Sequence, residues 1–387
     1  MKIIAITGTN GKTTTLHLAH QLLQSCGYHV ASLGTLGLQI NEEMNKEPVL
    51  LGSNPMGSII EEIQYFYDVD FFLFEAYSAG LKTNIYKDLE VNIALLTNIT
   101  KDHIDVHENY SKYKSAKCSL FHNSLKRNGL AIYRADDPIA GRIDTICKVN
   151  GNPTSTFGFH SQSTLQLLNY TSSENHTNVK LKFHGKTFYT NLPFVAKPNI
   201  YNWLGAFLLC SSLGISKNQL LSHSNSLLLP EGRFEIVTQF KGAKVIVDFA
   251  NNPAALEEIL KWANENHNAA IHLVFGASGG IKQYQRKKMA TIANTYADRV
   301  YITDDNPREE IPDHIRMELK QYCKSGVIIP DRRLAIQNAM DQLQKNDVLL
   351  IVGKGHETYQ ETNELRIPFN DKDVIIKYAN SFTTALA

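Results

Sequence analysis

The spacing of apolar positions changes character several times along the chain. Ile3–Thr7 is a short β-rich run, after which Leu16, Ala19, Leu22 and Leu23 recur at helical spacing over residues 13–26. Gly27 ends that helix and Tyr28–Leu33 reads as a second strand. Strand, crossover helix and strand predict a parallel sheet with helices on both faces. Phe71–Phe74 and Ile93–Leu96 read as further buried strands, each followed by polar residues where a strand end would present a site. Between residues 151 and 195 the chain is Ser/Thr/Asn-rich and alternates, as in Val179-Lys180-Leu181-Lys182-Phe183, which predicts an antiparallel insertion or flank. A helix carrying Leu204, Ala206, Phe207 and Leu208 follows, and Pro230-Glu231-Gly232-Arg233 then punctuates the chain. From about residue 234 the β/α rhythm restarts, with strands expected at Lys244–Asp248, Ile271–Phe275, Arg299–Thr303 and Val348–Val352.

Composition narrows this picture without redirecting it. The 387 residues are 43% hydrophobic and 20% charged, an ordinary globular balance for two or three domains. Lys and Arg number 39 against 38 Asp and Glu, so no charge excess points to nucleic acid or an anionic membrane as partner. The longest apolar runs fall far short of the ~20 residues that span a bilayer. The N-terminus leads straight into a Gly-rich loop with no small-residue cleavage site, so no signal peptide is expected. Five cysteines stand singly at 26, 118, 147, 210 and 323, with no CxxC pair to build a zinc site or a disulfide framework. A cytoplasmic protein is the expectation.

The sharpest chemical signal is Thr7-Gly8-Thr9-Asn10-Gly11-Lys12-Thr13-Thr14, between a strand and a helix. Glycines let backbone amides approach a polyphosphate, and the helix N-terminus adds its own amides and partial positive charge. Lys12 would reach the β- and γ-phosphates of ATP, and the Thr13 hydroxyl would sit on Mg²⁺. The generic pattern wants a glycine six residues before Lys12, where Ile6 stands. The expected fold class is therefore α/β: a P-loop-type ATPase domain with a mostly parallel sheet over 1–230 (151–195 its β-rich flank), followed by a smaller Rossmann-like α/β domain over 231–387.

At this loop the chain resembles the Mur ligases, which use TGTNGKTT, and the resemblance continues in order over about 360 residues. Ser32-Leu33-Gly34-Thr35-Leu36-Gly37 is similar to the loop after their second strand. Thr97–His107 is similar to their TN-x-x-x-DH-x-D-x-H segment, Tyr113–Lys117 to Y-x-x-AK, Asn199–Asn202 to N-x-x-N, Gly232–Glu235 to the GR-[FM]-E linker and Val247–Ala250 to VDYA. Asp305-Asn306-Pro307-Arg308 and Gly353–Gln360 resemble the MurE-type branch, which adds the third peptide residue. The resemblance implies phosphorylation of a substrate carboxylate by ATP, followed by displacement of the acyl phosphate by an amino acid's amine. It assigns Gly8, Thr9, Asn10, Gly11, Lys12, Thr13 and Thr14, with Asn202, Arg233 and Asp248, to the nucleotide. It assigns Thr13, Glu75 and His103 to metal, two Mg²⁺ being the family expectation. Lys117 falls at the lysine that becomes carbamylated in most branches and so offers a metal an oxygen ligand. Lys12, Glu75, His103 and Lys117 are thus the catalytic candidates.

Several departures bear on substrate. The family begins with a domain of about 100 residues that grips a UDP-sugar, whereas this phosphate loop starts at residue 7, which predicts that the domain is absent and that the acyl substrate is a carboxylic acid without UDP. The segment E-V-S-S-H-A-L reads Glu75-Ala76-Tyr77-Ser78-Ala79-Gly80-Leu81, keeping Glu75 and the substrate-contacting Ser78 but losing the histidine. DYAH-[TN]-P reads Asp248-Phe249-Ala250-Asn251-Asn252-Pro253, and the glycine loop over Gly276–Arg286 loses its internal charged pair while Arg286 keeps its place. The incoming amino-acid site is better kept. Asp305, Asn306, Arg308, Gly353 and Glu357 match, Arg286 and Arg308 would take a carboxylate in a two-pronged bond, and Glu357 would face a side-chain ammonium. Diaminopimelate, or a basic amino acid such as lysine or ornithine, is the expected nucleophile. The alternatives are a cell-wall ligase, a cyanophycin- or poly-γ-glutamate-like polymerising ligase, and a non-catalytic nucleotide-binding protein. A protein partner in place of the missing domain is a further option, and the MurT type, which works with a glutaminase partner, would require a four-cysteine zinc ribbon that the sequence lacks.

Overall fold

A computed structural model describes residues 1–45, 56–102, 104–363 and 365–386. The chain divides into two compact units, Met1–Leu229 and Pro230–Ala387.

The first unit is built on a sheet of eleven strands among the described residues. Its centre is parallel: Lys2–Thr7 lies between Phe71–Glu75 and Val91–Leu96, with Val30–Gly34 beyond the former and Leu125–Arg134 and Thr154–Gly158 beyond the latter. Both edges are antiparallel, through Gly37–Ile40 and Glu43–Asn45 on one side and Leu165–Ser172, Thr177–Phe183 and Lys186–Leu192 on the other. The stretch 151–195 thus opens with a strand of the parallel sheet, Thr154–Gly158, and becomes antiparallel only after Leu165. Side chains of successive strand residues point to opposite faces, and the two cores follow that alternation. Ile4, Ile6, Leu73, Ile93 and Leu95 meet helices Lys12–Ser25 and Lys197–Ser212 through Leu18, Leu22, Trp203 and Phe207. Ala5, Phe72, Phe74, Ala94 and Leu96 meet Ile59, Ile63, Tyr113 and Phe121 on the other face.

The second unit carries a six-stranded sheet in the order Glu235–Phe240, Ala243–Asp248, Val348–Val352, Ile271–Phe275, Arg299–Ile302 and Val327–Ile328, parallel except for the first pair. The hairpin Tyr359–Thr362 with Leu365–Pro368 stands apart from it. Arg332 and Asp371, both wholly buried, form a two-pronged ion pair at 2.8 and 2.7 Å, and Arg332 also donates to the Val352 carbonyl at 2.9 Å. The start of the C-terminal helix, Asp371–Leu386, is thereby pinned to the end of a central strand. Among the described residues no helix is long and apolar enough to cross a membrane.

Candidate functional site

In the first unit the C-terminal ends of the central strands converge on the loop between Lys2–Thr7 and Lys12–Ser25. Gly8 (φ 149°) and Gly11 (φ 84°) hold it in backbone conformations that side chains resist. Both are also sterically required, because a Cβ on Gly8 would overlap Thr97 Oγ1 and one on Gly11 would overlap Asn202 Oδ1. Outside residues fasten the loop. The Thr9 amide donates to the Asn98 carbonyl at 2.9 Å, and Asn98 pairs with the Asn10 backbone through both ends of its amide, at 3.1 and 2.9 Å. Thr97 Oγ1 donates to the Asn10 carbonyl at 2.6 Å, and Thr9 Oγ1 lies 2.9 Å from the Tyr113 hydroxyl. Lys12 Nζ turns back to donate to the carbonyls of Gly8 and Thr9, both at 3.0 Å. Thr14 is buried in the first helical turn.

Glu75 is buried at the last position of its strand. Its two oxygens accept from the Thr35 amide and hydroxyl at 2.9 and 3.2 Å, and Thr13 Oγ1 lies 3.3 Å from the same Thr35 hydroxyl. Thr35 therefore joins the loop threonine to the acid, a role that its place in Ser32–Gly37 does not signal. Thr13 and Glu75 present hydroxyl and carboxylate oxygens, the hard donors Mg²⁺ takes, so this part of the site fits that ion. His103 lies outside the described residues. Lys117 is fully buried on helix Tyr110–Ser119 and donates to Thr7 Oγ1 at 3.0 Å. Burial, reinforced by the nearby Lys12 charge and opposed by Glu75 and Asp102, holds its amine well below the ordinary lysine range. Ser78 is buried at the start of the short helix Ser78–Lys82.

In the second unit Arg233 lies over the Phe249 ring, 4.1 Å from its centroid. Asp248 accepts from the Phe234 and Ala250 amides at 2.7 and 2.8 Å, and burial raises its pKa against the pull of Arg233 and those two amides. The loops after Arg299–Ile302 and Val348–Val352 meet at a polar cluster. Asp305 Oδ1 accepts from Ser278 Oγ at 2.8 Å, and a Cβ on Gly353 would strike its Oδ2. Asn306 Nδ2 donates to Glu357 Oε2 at 2.8 Å. Asp305, Asn306, Gly353 and Glu357 are thus brought together. Arg308, on a left-handed backbone (φ 53°), stands at the margin, half exposed, with Nε 3.3 Å from Glu361 and Nη1 3.3 Å from the Gly279 carbonyl.

Two expectations need correction here. Arg286 presents no open fork to a ligand: it is buried, both terminal nitrogens hold Glu310 at 2.8 Å, and Glu318 and the Ser278 carbonyl take further bonds at 3.0 Å. It ties helix Gln283–Tyr296 to the segment at Glu310 and to helix Pro312–Tyr322. Glu357 already faces an internal ammonium, that of the wholly buried Lys354, at 2.8 Å. An apolar amino acid would therefore not leave its charge unpaired.

Comparison with known proteins places these features in a family. Residues 6–210 match the Mur ligase middle domain, and residues 232–355 match the Mur ligase, glutamate ligase domain. The chain is 31% identical over 383 residues to the UDP-N-acetylmuramoyl-L-alanyl-D-glutamate–2,6-diaminopimelate ligase 1 of Clostridium acetobutylicum, covering 98% of this chain and 78% of that protein. The corresponding ligase of Halalkalibacterium halodurans is 30% identical, with 97% and 77% covered. These relatives act, by name, on a UDP-linked substrate, and they lend no support to the expectation of an acyl substrate without UDP. A solved UDP-N-acetylmuramoyl-L-alanyl-D-glutamate–2,6-diaminopimelate ligase superposes with a TM-score of 0.70 at 27% identity, over 99% of this chain and 79% of that one. Folylpolyglutamate synthase of Mycobacterium tuberculosis, solved with ADP and AMPPCP, shares the fold at a TM-score of 0.75 and 14% identity, over 91% and 88%. The chain belongs to the Mur ligase family of ATP-dependent, ADP-forming amide ligases.

Proposed function

We propose that this chain joins an amino acid to a substrate carboxylate in two displacements. The carboxylate oxygen attacks the γ-phosphorus of ATP and ADP leaves. The amine then attacks the acyl carbon, phosphate leaves, and the amine nitrogen gives up a proton. The observation that carries this reading is the phosphate loop with Lys12, Thr13 and Glu75 gathered at one set of strand ends. Lys12 leaves its own loop carbonyls to meet phosphate. A Mg²⁺ held by Thr13 and Glu75 would supply positive charge against the phosphate oxygens. Lys117 carries a carbamate in this reading. A buried amine with a depressed pKa spends more of its time neutral, and the neutral amine adds CO₂, releasing one proton and leaving a carboxylate-like group.

The incoming amino acid binds at Asp305, Asn306, Arg308, Gly353 and Glu357, with Arg308 on its carboxylate, and diaminopimelate is the first candidate. The names of the relatives make UDP-N-acetylmuramoyl-L-alanyl-D-glutamate the first acyl substrate to try. Ala79, standing where the family has histidine, supports including carboxylic acids without a nucleotide. The test pairs each acid with diaminopimelate, lysine, ornithine and alanine and follows ADP release and product mass. ADP release that requires both acid and amino acid supports the reading. Nucleotide binding with no such dependence in any pairing, or an Arg308→Ala variant with unchanged amino-acid kinetics, overturns it.

A further inference from the structure

We propose that Lys354 is a positioning residue for the incoming amino acid, fixing the ligand-facing atoms of Asn306 and Glu357; this rests on the amino-acid site proposed above. Lys354 is fully buried, yet nothing in the proposed chemistry uses it. Its Nζ donates to Asn306 Oδ1 at 2.9 Å and to Glu357 Oε2 at 2.8 Å. Asn306 Nδ2 closes the triangle on the same Glu357 oxygen at 2.8 Å, and the Glu361 amide donates to Asn306 Oδ1 at 3.0 Å.

These bonds decide the chemistry the cluster presents. Asn306 Oδ1 receives two donors, so the amide cannot flip without placing its NH₂ group against both an ammonium and a backbone N–H. Its Nδ2 spends one hydrogen on Glu357 and keeps the other for a ligand. Glu357 accepts twice on Oε2, while Oε1 takes part in none of these bonds and the side chain remains one-fifth exposed. The cluster therefore offers one oriented donor and one oriented acceptor, on loops that follow different strands. Removing the Lys354 ammonium leaves Asn306 Oδ1 on the Glu361 amide alone, loosening the amide's orientation, and leaves a carboxylate without its cation.

The test is the kinetics of Lys354→Met, which keeps the chain length and removes the donors. The KM for the amino acid should rise at least tenfold while the KM for ATP stays within twofold and kcat falls by less than the amino-acid KM rises. Lys354→Arg, which retains a cation, should recover part of the loss. Should Lys354→Met fail to fold, the double variant Lys354→Met/Glu357→Gln removes the unpaired charge, and its amino-acid KM should exceed that of Glu357→Gln because Asn306 Oδ1 still loses its charged donor. An amino-acid KM unchanged in Lys354→Met, or a double variant equal to Glu357→Gln, overturns the proposal. If Arg308→Ala raises the amino-acid KM while Lys354→Met does not, the inference about Lys354 fails and the site stands. If neither variant moves it, the site assignment itself fails.

Discussion

Adding one methyl group at Gly8 tests whether the phosphate loop is held from outside. At φ 149° an alanine is strained. Its Cβ would also overlap Thr97 Oγ1 and come within 3.1 and 3.2 Å of the Asn98 carbonyl oxygen and amide nitrogen. Backbone cannot rotate away as a side chain can, so the loop and the 97–98 segment must part. Hydrogen bonds cross that seam from Thr97 Oγ1 to Asn10 at 2.6 Å, from Asn98 Nδ2 to Asn10 at 2.9 Å, from the Asn10 amide to Asn98 Oδ1 at 3.1 Å, and from the Thr9 amide to Asn98 at 2.9 Å. Each contributes about 1 kcal/mol net, and losing two or three of them costs about 2–3 kcal/mol. Because ADP must draw the loop back to its parent shape to bind, that cost is subtracted from the binding free energy, and at 1.4 kcal/mol per tenfold ADP affinity should weaken by about 30- to 150-fold. Titration calorimetry with ADP and Mg²⁺ measures this directly. Gly57→Ala is the control, since nothing lies within 4 Å of its added methyl. A Gly8→Ala protein that binds ADP within threefold of the parent would refute the claim that these contacts shape the cradle.

Two further predictions concern stability. Burial, aided by neighbouring His20, lowers the pKa of His17 from 6.5 to about 4, so the unfolded chain takes up this proton first and the stability due to a neutral His17 is lost as pH falls from 6.5 toward 4, by about 3 kcal/mol at the acid end. His17→Gln should flatten that stretch of the unfolding free energy against pH, and identical slopes for both proteins would contradict it. Arg332→Met should cost about 3–5 kcal/mol in urea denaturation by stranding the buried Asp371, and Arg332→Met/Asp371→Leu should recover most of it; a single-variant loss under about 1 kcal/mol would show that the pair contributes little.

Much of the architecture is readable along the chain because a buried parallel strand is a short, unbroken apolar run. Phe71–Phe74 and Val348–Val352 are cases where the pattern and the pairing agree closely. The strand Leu125–Arg134 escapes that logic. Lys126-Arg127-Asn128-Gly129 interrupts its apolar run, Asn128 adopts φ 61°, and the pairing jumps register so that Leu130, not Arg127, lies beside Ile93. At the sites, residue type suggests chemistry but cannot reveal prior commitments. Arg286 has the guanidinium that a carboxylate ligand would want, and only the fold shows Glu310 and Glu318 filling it from 24 and 32 residues away. Lys354, set between two glycines, resembles a solvated loop lysine until its burial is seen. Asn202 reaches the first loop helix at Thr15 across 187 residues of sequence, a contact no local spacing encodes.

The place of Lys2–Thr7 in the middle of its sheet bears on how the protein is made. This strand leaves the ribosome before both of its partners, Phe71–Glu75 and Val91–Leu96. At about 5–20 residues per second, it waits several seconds or more before either neighbour exists. During that interval an apolar strand with two unpaired edges and an unformed phosphate loop is exposed to other chains. Pairing across such separations is also slow once the partners are present. The segment that carries the nucleotide-binding signature is therefore made well before it can be enclosed, and nascent-chain aggregation should respond strongly to substitutions in Ile3, Ile4 and Ile6.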